Sequence, residues 1–283
     1  MKAVREKKEL QVLALIFPSA FWLIVFFLVP LLIVFVMSFA RRGTYGGVKW
    51  ELSIQNYIRF FDPLYLRIFG RSIYIALATT VLCLLAGYPL AYYIARRPES
   101  QRNTMLLLLM VPFWTNFLVR TYAWILLLRN EGLINQFLQG LGITHASLPL
   151  LYNDGAIIVG LVYGWLPDMV LPCYAAIERL DFSLVEAAQD LYANRVQAFL
   201  RVVLPLTAPG IIAGSILVFI PSLGAYVTPD LLGGAKSVMI GNLIQQQFLS
   251  VRDWPFGAAI SFVLMAVMLG GTLLYFRVGG RTL

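Results

Sequence analysis

The chain has 283 residues, with 22 Lys+Arg against 14 Asp+Glu and a formal net charge of +8, yet only 13% of it is charged. The AVILMFWYC set makes up 60% and the mean hydropathy is +0.78. So few polar side chains could not cover a water-soluble globule, and disorder needs low hydrophobicity, so both classes are excluded and the solvent is lipid. The Lys and Arg residues fall in short clusters between apolar runs, as membrane flanks do, and not on one face or tail as in a nucleic-acid binder. Cys83 and Cys173 lie inside apolar runs and read as small buried hydrophobes. His145 is the sole histidine, which leaves almost no material for a metal cluster or a His-dependent triad.

Six stretches reach the roughly 20 residues that a spanning helix needs: 12–40, 72–95, 104–128, 155–177, 209–232 and 257–277. The first follows Lys2, Arg5, Lys7 and Lys8. It is too long for the apolar region of a cleaved signal, although Ser38-Phe39-Ala40 resembles a cleavage site. Prolines 30, 89, 112, 167, 172 and 221 lie inside spans, where neighbouring groups can re-satisfy the freed backbone. Gly160-x-x-x-Gly164 and Gly210-x-x-x-Gly214 permit close helix approach. The runs are continuous rather than alternating, which argues against a barrel. The expectation is an all-α membrane protein: one domain, 1–283, with six transmembrane helices.

Twelve Lys and Arg flank the spans on the side of the N-terminus and nine on the other, with Arg120 inside a span. The dense N-terminal cluster places both termini in the cytoplasm. The first outer loop, 41–71, carries Ile54, Tyr57, Ile58, Phe61, Leu64, Tyr65 and Ile68 at near-helical spacing. It reads as a short helix at the outer surface, sealing the bundle or receiving an external partner.

The fourth loop, 178–208, is long and cytoplasmic in this orientation. Ser183 with Glu186 forms a capping-box pattern, and Ala187, Ala188 and Leu191 give the helix a small, apolar face. A second helical stretch, 195–203, ends at Leu204-Pro205. Such a knob suits insertion into a groove on another protein; an amphipathic connector on the headgroups is the plainer alternative.

Glu186-Ala187-Ala188, with Phe199, Val203, Leu204 and Pro205, resembles the EAA loop of binding-protein-dependent ABC importer permeases. Gly87-Tyr88-Pro89-Leu90-Ala91, Pro112-Phe113-Trp114-Thr115-Asn116, Asp230-Leu231-Leu232-Gly233-Gly234 and Arg252-Asp253-Trp254-Pro255 are similar to the spermidine/putrescine permease subunits. The resemblance implies a type I (MetI-like) permease bundle in the bacterial inner membrane, multi-pass and not itself an enzyme. It implies a second, homologous permease subunit as a heterodimer partner, a periplasmic substrate-binding protein, and an ATP-binding cassette ATPase dimer. ATP and Mg belong to that ATPase, and no cofactor to this chain. Glu186, Ala187, Ala188, Leu191, Tyr192, Phe199, Leu204 and Pro205 would couple the bundle to the ATPase. Where the family has glycine six residues after its glutamate, this chain has Tyr192, for which a positive φ is unfavourable. The corner is therefore expected either to be built differently or to use Tyr192 to fill the groove.

A passage for a polyamine calls for carboxylates and aromatic faces. Asp168 and Asp230, with Trp114, Asn116, Trp165 and Tyr226, supply those types, and ionisable residues in spans default to functional roles. The structural alternatives are an Asp168–Arg120 ion pair and an Asp230 in headgroup water. No G-x-x-x-x-G-K-[ST] loop is present; Gly233-Gly234-Ala235-Lys236-Ser237 lacks the spacing. Other readings are an importer of another small cationic or amino-acid-derived solute such as an opine, or an ion-coupled secondary transporter, which would be expected to carry internal repeats. An intramembrane enzyme lacks a catalytic constellation.

Overall fold

The computed structural model describes residues 16–44, 46–234 and 237–279. Five helices are long and apolar enough to cross a membrane, and six when one sharply bent pair counts as a single span. Two compact units divide at Asp62/Pro63, Leu243/Ile244 and Val267/Met268.

The smaller unit opens with α1 (Ile16–Ser38). Its backbone widens to a π-helix at Ile24–Leu28, directly before Val29-Pro30. Proline offers no N–H and crowds the carbonyl four residues back, and the widened turn accommodates both. A hairpin of β1 (Arg41–Arg42) and β2 (Val48–Lys49) follows, then α2 (Gln55–Phe60). Asn56 donates its amide to the carbonyls of Ser38 and Ala40 (2.9 and 2.8 Å), and the Tyr57 hydroxyl lies 2.7 Å from Ser38 Oγ. The first of these bonds satisfies the terminal carbonyl of α1, which has no partner within its own helix, and the others tie α2 to the turn that follows. Arg59 pairs at 2.9 Å with the buried Asp253. The outer loop is thus not one surface helix: α2 stops at Phe60, and Pro63 opens the long helix α3 (Pro63–Ala95). The expected apolar stripe is turned outward, with Ile54, Ile58, Phe61 and Leu64 all exposed.

In the larger unit α3 leads to α4 (Glu99–Met110), a 3₁₀ turn at Val111–Trp114, α5 (Phe117–Leu128) and α6 (Leu133–Gly140). The third span is therefore broken, bending by 86° between Trp114 and Phe117. Beyond the 3₁₀ turn Thr115 is extended, and Asn116 Oδ1 accepts from Leu118 N (2.8 Å) to start α5. Next come α7 (Asp154–Glu178), α8 (Ser183–Asp190) and α9 (Arg195–Leu223). The fifth span begins earlier and ends earlier than the hydropathy predicts: after Leu223 the chain turns, and Pro229–Gly233 is a separate π turn. α10 (Ile240–Leu249) and α11 (Trp254–Gly279) follow, and their residues 244–267 belong to the smaller unit.

α3, α7 and α9 share one core, with Cys83, Tyr88, Ala91 and Ile94 against Met169, Val170, Cys173 and Ile177, and Val218 from α9. Both cysteines are free and buried. The second glycine pair is a close-approach seam: a Cβ on Gly210 would meet the Pro172 carbonyl at 2.5 Å, and one on Gly214 the Met169 sulfur at 2.8 Å. In the first pair only Gly160 is crowded, by Leu232 and Thr228, whereas Gly164 faces open space.

Candidate functional site

The loop between α7 and α9 is a rigid two-helix knob built by caps. Asp181 Oδ1 accepts from Ser183 N (3.0 Å), and that bond holds its carboxyl below the ordinary aspartate range. Asp181 thus supplies, from just outside the N-cap Phe182, the side-chain bond that opens α8, in place of the Ser183–Glu186 box read from the sequence. α8 ends in a Schellman arrangement: Ala193 N donates to Ala188 O (3.0 Å) and Tyr192 N to Gln189 O (2.9 Å). The corner residue is Tyr192 at φ 65°, so the left-handed turn is made by tyrosine itself and is not built differently. Asn194 then starts α9 with a capping box closed by Gln197 (2.8 and 3.1 Å). A π-helix at Phe199–Val203 precedes Leu204-Pro205, the same solution as at Pro30.

Phe199 faces inward, its ring edge-on to Tyr88 and Tyr92 (5.9 and 6.2 Å between centroids), and Leu204 packs on the same core. The Tyr88 hydroxyl meets Thr207 Oγ1 at 2.8 Å. These contacts fix the knob to α3. Pointing away are Leu191 (81% exposed), Tyr192 (98%), Val196 (65%) and Leu200 (53%), with Ala187 exposed and Ala188 half-buried. Val196 and Leu200 escaped the sequence reading; their spacing of four residues on one face of α9 is the signal that could have found them. Glu186 opens instead onto a cleft that it shares with Phe199, Tyr92 and Arg96.

The six pathway candidates fall in three pairs, and among the described residues no hydrogen bond or ion pair joins one pair to another. Trp114 is 72% exposed at the break in the third span, and Asn116 beside it is the α5 cap. Trp165 and Asp168 lie one turn apart on α7. Trp165 packs on the core, while Asp168 is half-buried one turn beyond the open space at Gly164. Tyr226 and Asp230 are exposed, and Asp230 N donates to Tyr226 O (3.0 Å).

Arg120 is not the partner of Asp168. Its guanidinium lies 4.7 Å over the Phe113 ring, and Phe113 stacks on Tyr163 at 5.6 Å. Its Nε and Nη1 have no hydrogen-bond acceptor. The described ends of the Gly233–Ser237 string, Gly233, Gly234 and Ser237, are held structurally: Tyr152 N donates to Leu232 O (2.9 Å), and Ser237 bonds Asp154 and Arg71, themselves paired at 2.5 Å.

Residues 84–281 match the family model described as binding-protein-dependent transport system inner membrane component. The spermidine/putrescine transport system permease protein PotB of Escherichia coli K12 is 45% identical over 256 residues, covering 90% of this chain and 93% of that protein. PotB of Haemophilus influenzae is 43% identical over 277 residues, covering 98% and 96%. Among solved structures, a chain of a bacterial ABC transporter involved in import of the acidic polysaccharide alginate superimposes with a TM-score of 0.71 at 18% identity, over 99% of each chain. A chain of the MetNI methionine ABC transporter gives 0.54 at 16%, over 77% of this chain and 95% of that one. At those identities the two structures speak to the fold alone, that of an ABC importer permease.

Proposed function

The chain belongs to the family of binding-protein-dependent transport system inner membrane components, and from that premise we propose that it is the permease subunit of an ATP-driven importer of polyamines. The observation that carries the mechanism is the knob, whose exposed Leu191, Tyr192, Val196 and Leu200 stand on a capped corner anchored through Phe199 to the bundle. An apolar surface on a rigid lever suits docking into a groove of another protein. In this reading the groove belongs to an ATP-binding cassette ATPase dimer, which holds ATP and Mg while this chain does none of the hydrolysis. Closure of the ATPase on ATP pulls the knob and rocks α3, α7 and α9 together, because Phe199, Leu204 and Thr207 tie α9 to α3.

The cargo follows from the PotB relatives, spermidine/putrescine permeases by name. Asp168 is its first contact: an unpaired carboxylate in a span, beside the space at Gly164, suits an ammonium group. Tyr226, Asp230, Trp114, Asn116 and Trp165 are assigned to the same passage. The pathway is completed by a second, homologous permease subunit, and cargo arrives on a periplasmic binding protein that touches residues 41–71. The chain is one permease domain in the bacterial inner membrane with both termini and residues 178–208 in the cytoplasm. The test is ATPase activity of the reconstituted complex with its binding protein and a panel of solutes. Stimulation by putrescine or spermidine alone is the expected result. Stimulation by another solute overturns the cargo, and failure of any ATPase to assemble on the knob overturns the machine.

A further inference from the structure

Among the described residues, no backbone hydrogen bond crosses the break in the third span from Glu99–Trp114 to α5. The 3₁₀ turn ends on the extended Thr115, whose hydroxyl donates back to the Pro112 carbonyl at 2.7 Å, and α5 starts on its own cap at Asn116. No backbone bond therefore fixes the 86° bend, and a bend that sharp needs an identifiable cause. What reaches across it is Arg120. Its guanidinium carbon, carried by α5, stands 4.7 Å from the ring centre of Phe113, which lies before the break. The Phe113 ring is also stacked on Tyr163 of α7 at 5.6 Å. Tyr163 in turn meets Trp124, one turn beyond Arg120 on α5, edge-on at 5.6 Å. These contacts close a circuit through the 3₁₀ turn, α7 and α5.

Nε and Nη1 of Arg120 are buried and have no acceptor. A buried cation in that condition is costly, and an apolar side chain of similar bulk would fill the space without the cost. An ammonium cargo brings no acceptor and would be repelled. The ring face of Phe113 is the partner that remains, and a desolvated cation is held most strongly over such a face. The residue after Phe113 is Trp114, 72% exposed and assigned to the passage. We propose that Arg120 is a positioning residue: it clamps Phe113 across the break, and so holds the third span bent and Trp114 in its place. The role of Trp114 and the exclusion of a cargo contact rest on the proposed function; the clamp itself does not.

The test reads the bend as a distance between spin labels at two exposed positions, Leu108→Cys and Leu126→Cys, in the purified complex; the native Cys83 and Cys173 are buried. A straight helix would put the two positions about 27 Å apart, and a right-angled bend shortens that by about 10 Å. With Arg120 in place the shorter distance is expected. Arg120→Met keeps the bulk without the charge and should broaden the distribution and move it towards the longer distance. Phe113→Leu should do the same, and the two changes together should do no more than either alone. Arg120→Lys, still a cation over the ring, should restore the shorter distance. Across Arg120→Met and Phe113→Leu the polyamine concentration for half-maximal ATPase stimulation should rise about tenfold, with the maximal rate kept. An unchanged distance in Arg120→Met overturns the clamp, as does the longer distance with Arg120 in place. A tenfold shift in polyamine concentration without a change in distance overturns it too, by making Arg120 a cargo contact. If no polyamine stimulates any form while the distances behave as expected, the proposed function falls and the clamp stands.

Discussion

Two tyrosines of the larger unit occupy the left-handed region, Tyr152 at φ 63° and Tyr192 at φ 65°. Each costs roughly 1–2 kcal/mol against glycine there. Tyr152 is held by its surroundings: its N–H is bonded to Leu232 O, and its ring lies so near Gly234 that an added Cβ would come within 3.0 Å. Tyr192 has only the backbone bonds of the Schellman corner, and its ring is 98% exposed. The same strain thus comes with a ring contact at Tyr152, itself 60% exposed, and with none among the described residues at Tyr192. In the proposed function that bare ring is part of the surface that docks on the ATPase.

The contrast is tested most severely by charge on the knob. Ala187→Asp should lower transport roughly a hundredfold, the scale of ~2.7 kcal/mol of lost docking energy, while leaving the thermal unfolding of the bundle unchanged. Unchanged uptake in vesicles would remove the knob from the mechanism. Gly234→Ala is the counterpart at the packed corner: a positive φ of 63° and the Tyr152 ring both oppose a Cβ, and a loss of about 2 kcal/mol of stability is expected. Unfolding in detergent measures it, and a neutral result would mean that the corner at Gly234 is no tighter than the one at Tyr192.

Asp168→Asn should raise the polyamine concentration for half-maximal ATPase stimulation about tenfold, with the uncharged-solute background unmoved. A purely structural Asp168 would lower activity without shifting that concentration. Asp181→Ala removes the side-chain bond that opens α8 and should cost the knob about 1 kcal/mol, read as faster hydrogen exchange at Ser183–Glu186. The Asp181 carboxyl titrates below the ordinary range, so its contribution is complete above that range and is lost as pH falls through the lowered value. The protection of those amides, exchange corrected for its intrinsic pH dependence, should therefore fall on acidification in the wild type and be insensitive to it in the variant.

Much of this was legible in the sequence where a rule is local. Spans, the glycine seam at 210/214 and the buried cysteines follow from hydropathy and small-residue spacing. The break at Trp114/Phe117 was not read, because 104–128 is apolar enough overall to pass as one span and Pro112 resembles the tolerated prolines at 167 and 172. What separates them is that Asn116 supplies a new cap beyond Pro112, whereas α7 runs on. The knob was legible as a knob but not in its caps: Asp181 and Asn194 both lie one or two residues outside the stretches read as helical. The inward side of Phe199 depends on Tyr88 and Tyr92 more than a hundred positions earlier, which no local pattern encodes. Asp168 and Arg120 looked like partners because opposite charges in spans usually pair; the ring of Phe113 holds Arg120 instead.

The smallest effect separates the two tyrosines most finely. Tyr192→Gly relieves the left-handed cost and removes a ring that touches nothing in the chain, so the permease should gain about 1 kcal/mol of stability. Tyr152→Gly relieves the same cost but loses the contact with Gly234, so the two terms offset and stability should stay within about 0.5 kcal/mol or fall. If both variants gain equally, packing at Tyr152 contributes nothing and the contrast collapses. The gain at Tyr192 should come with a weaker hold on the ATPase, read as a higher ATPase concentration for half-maximal assembly on the reconstituted permease. Stability gained with assembly unchanged would leave the strained ring at Tyr192 without a function, because a corner relieved at no cost to docking has no reason to keep tyrosine.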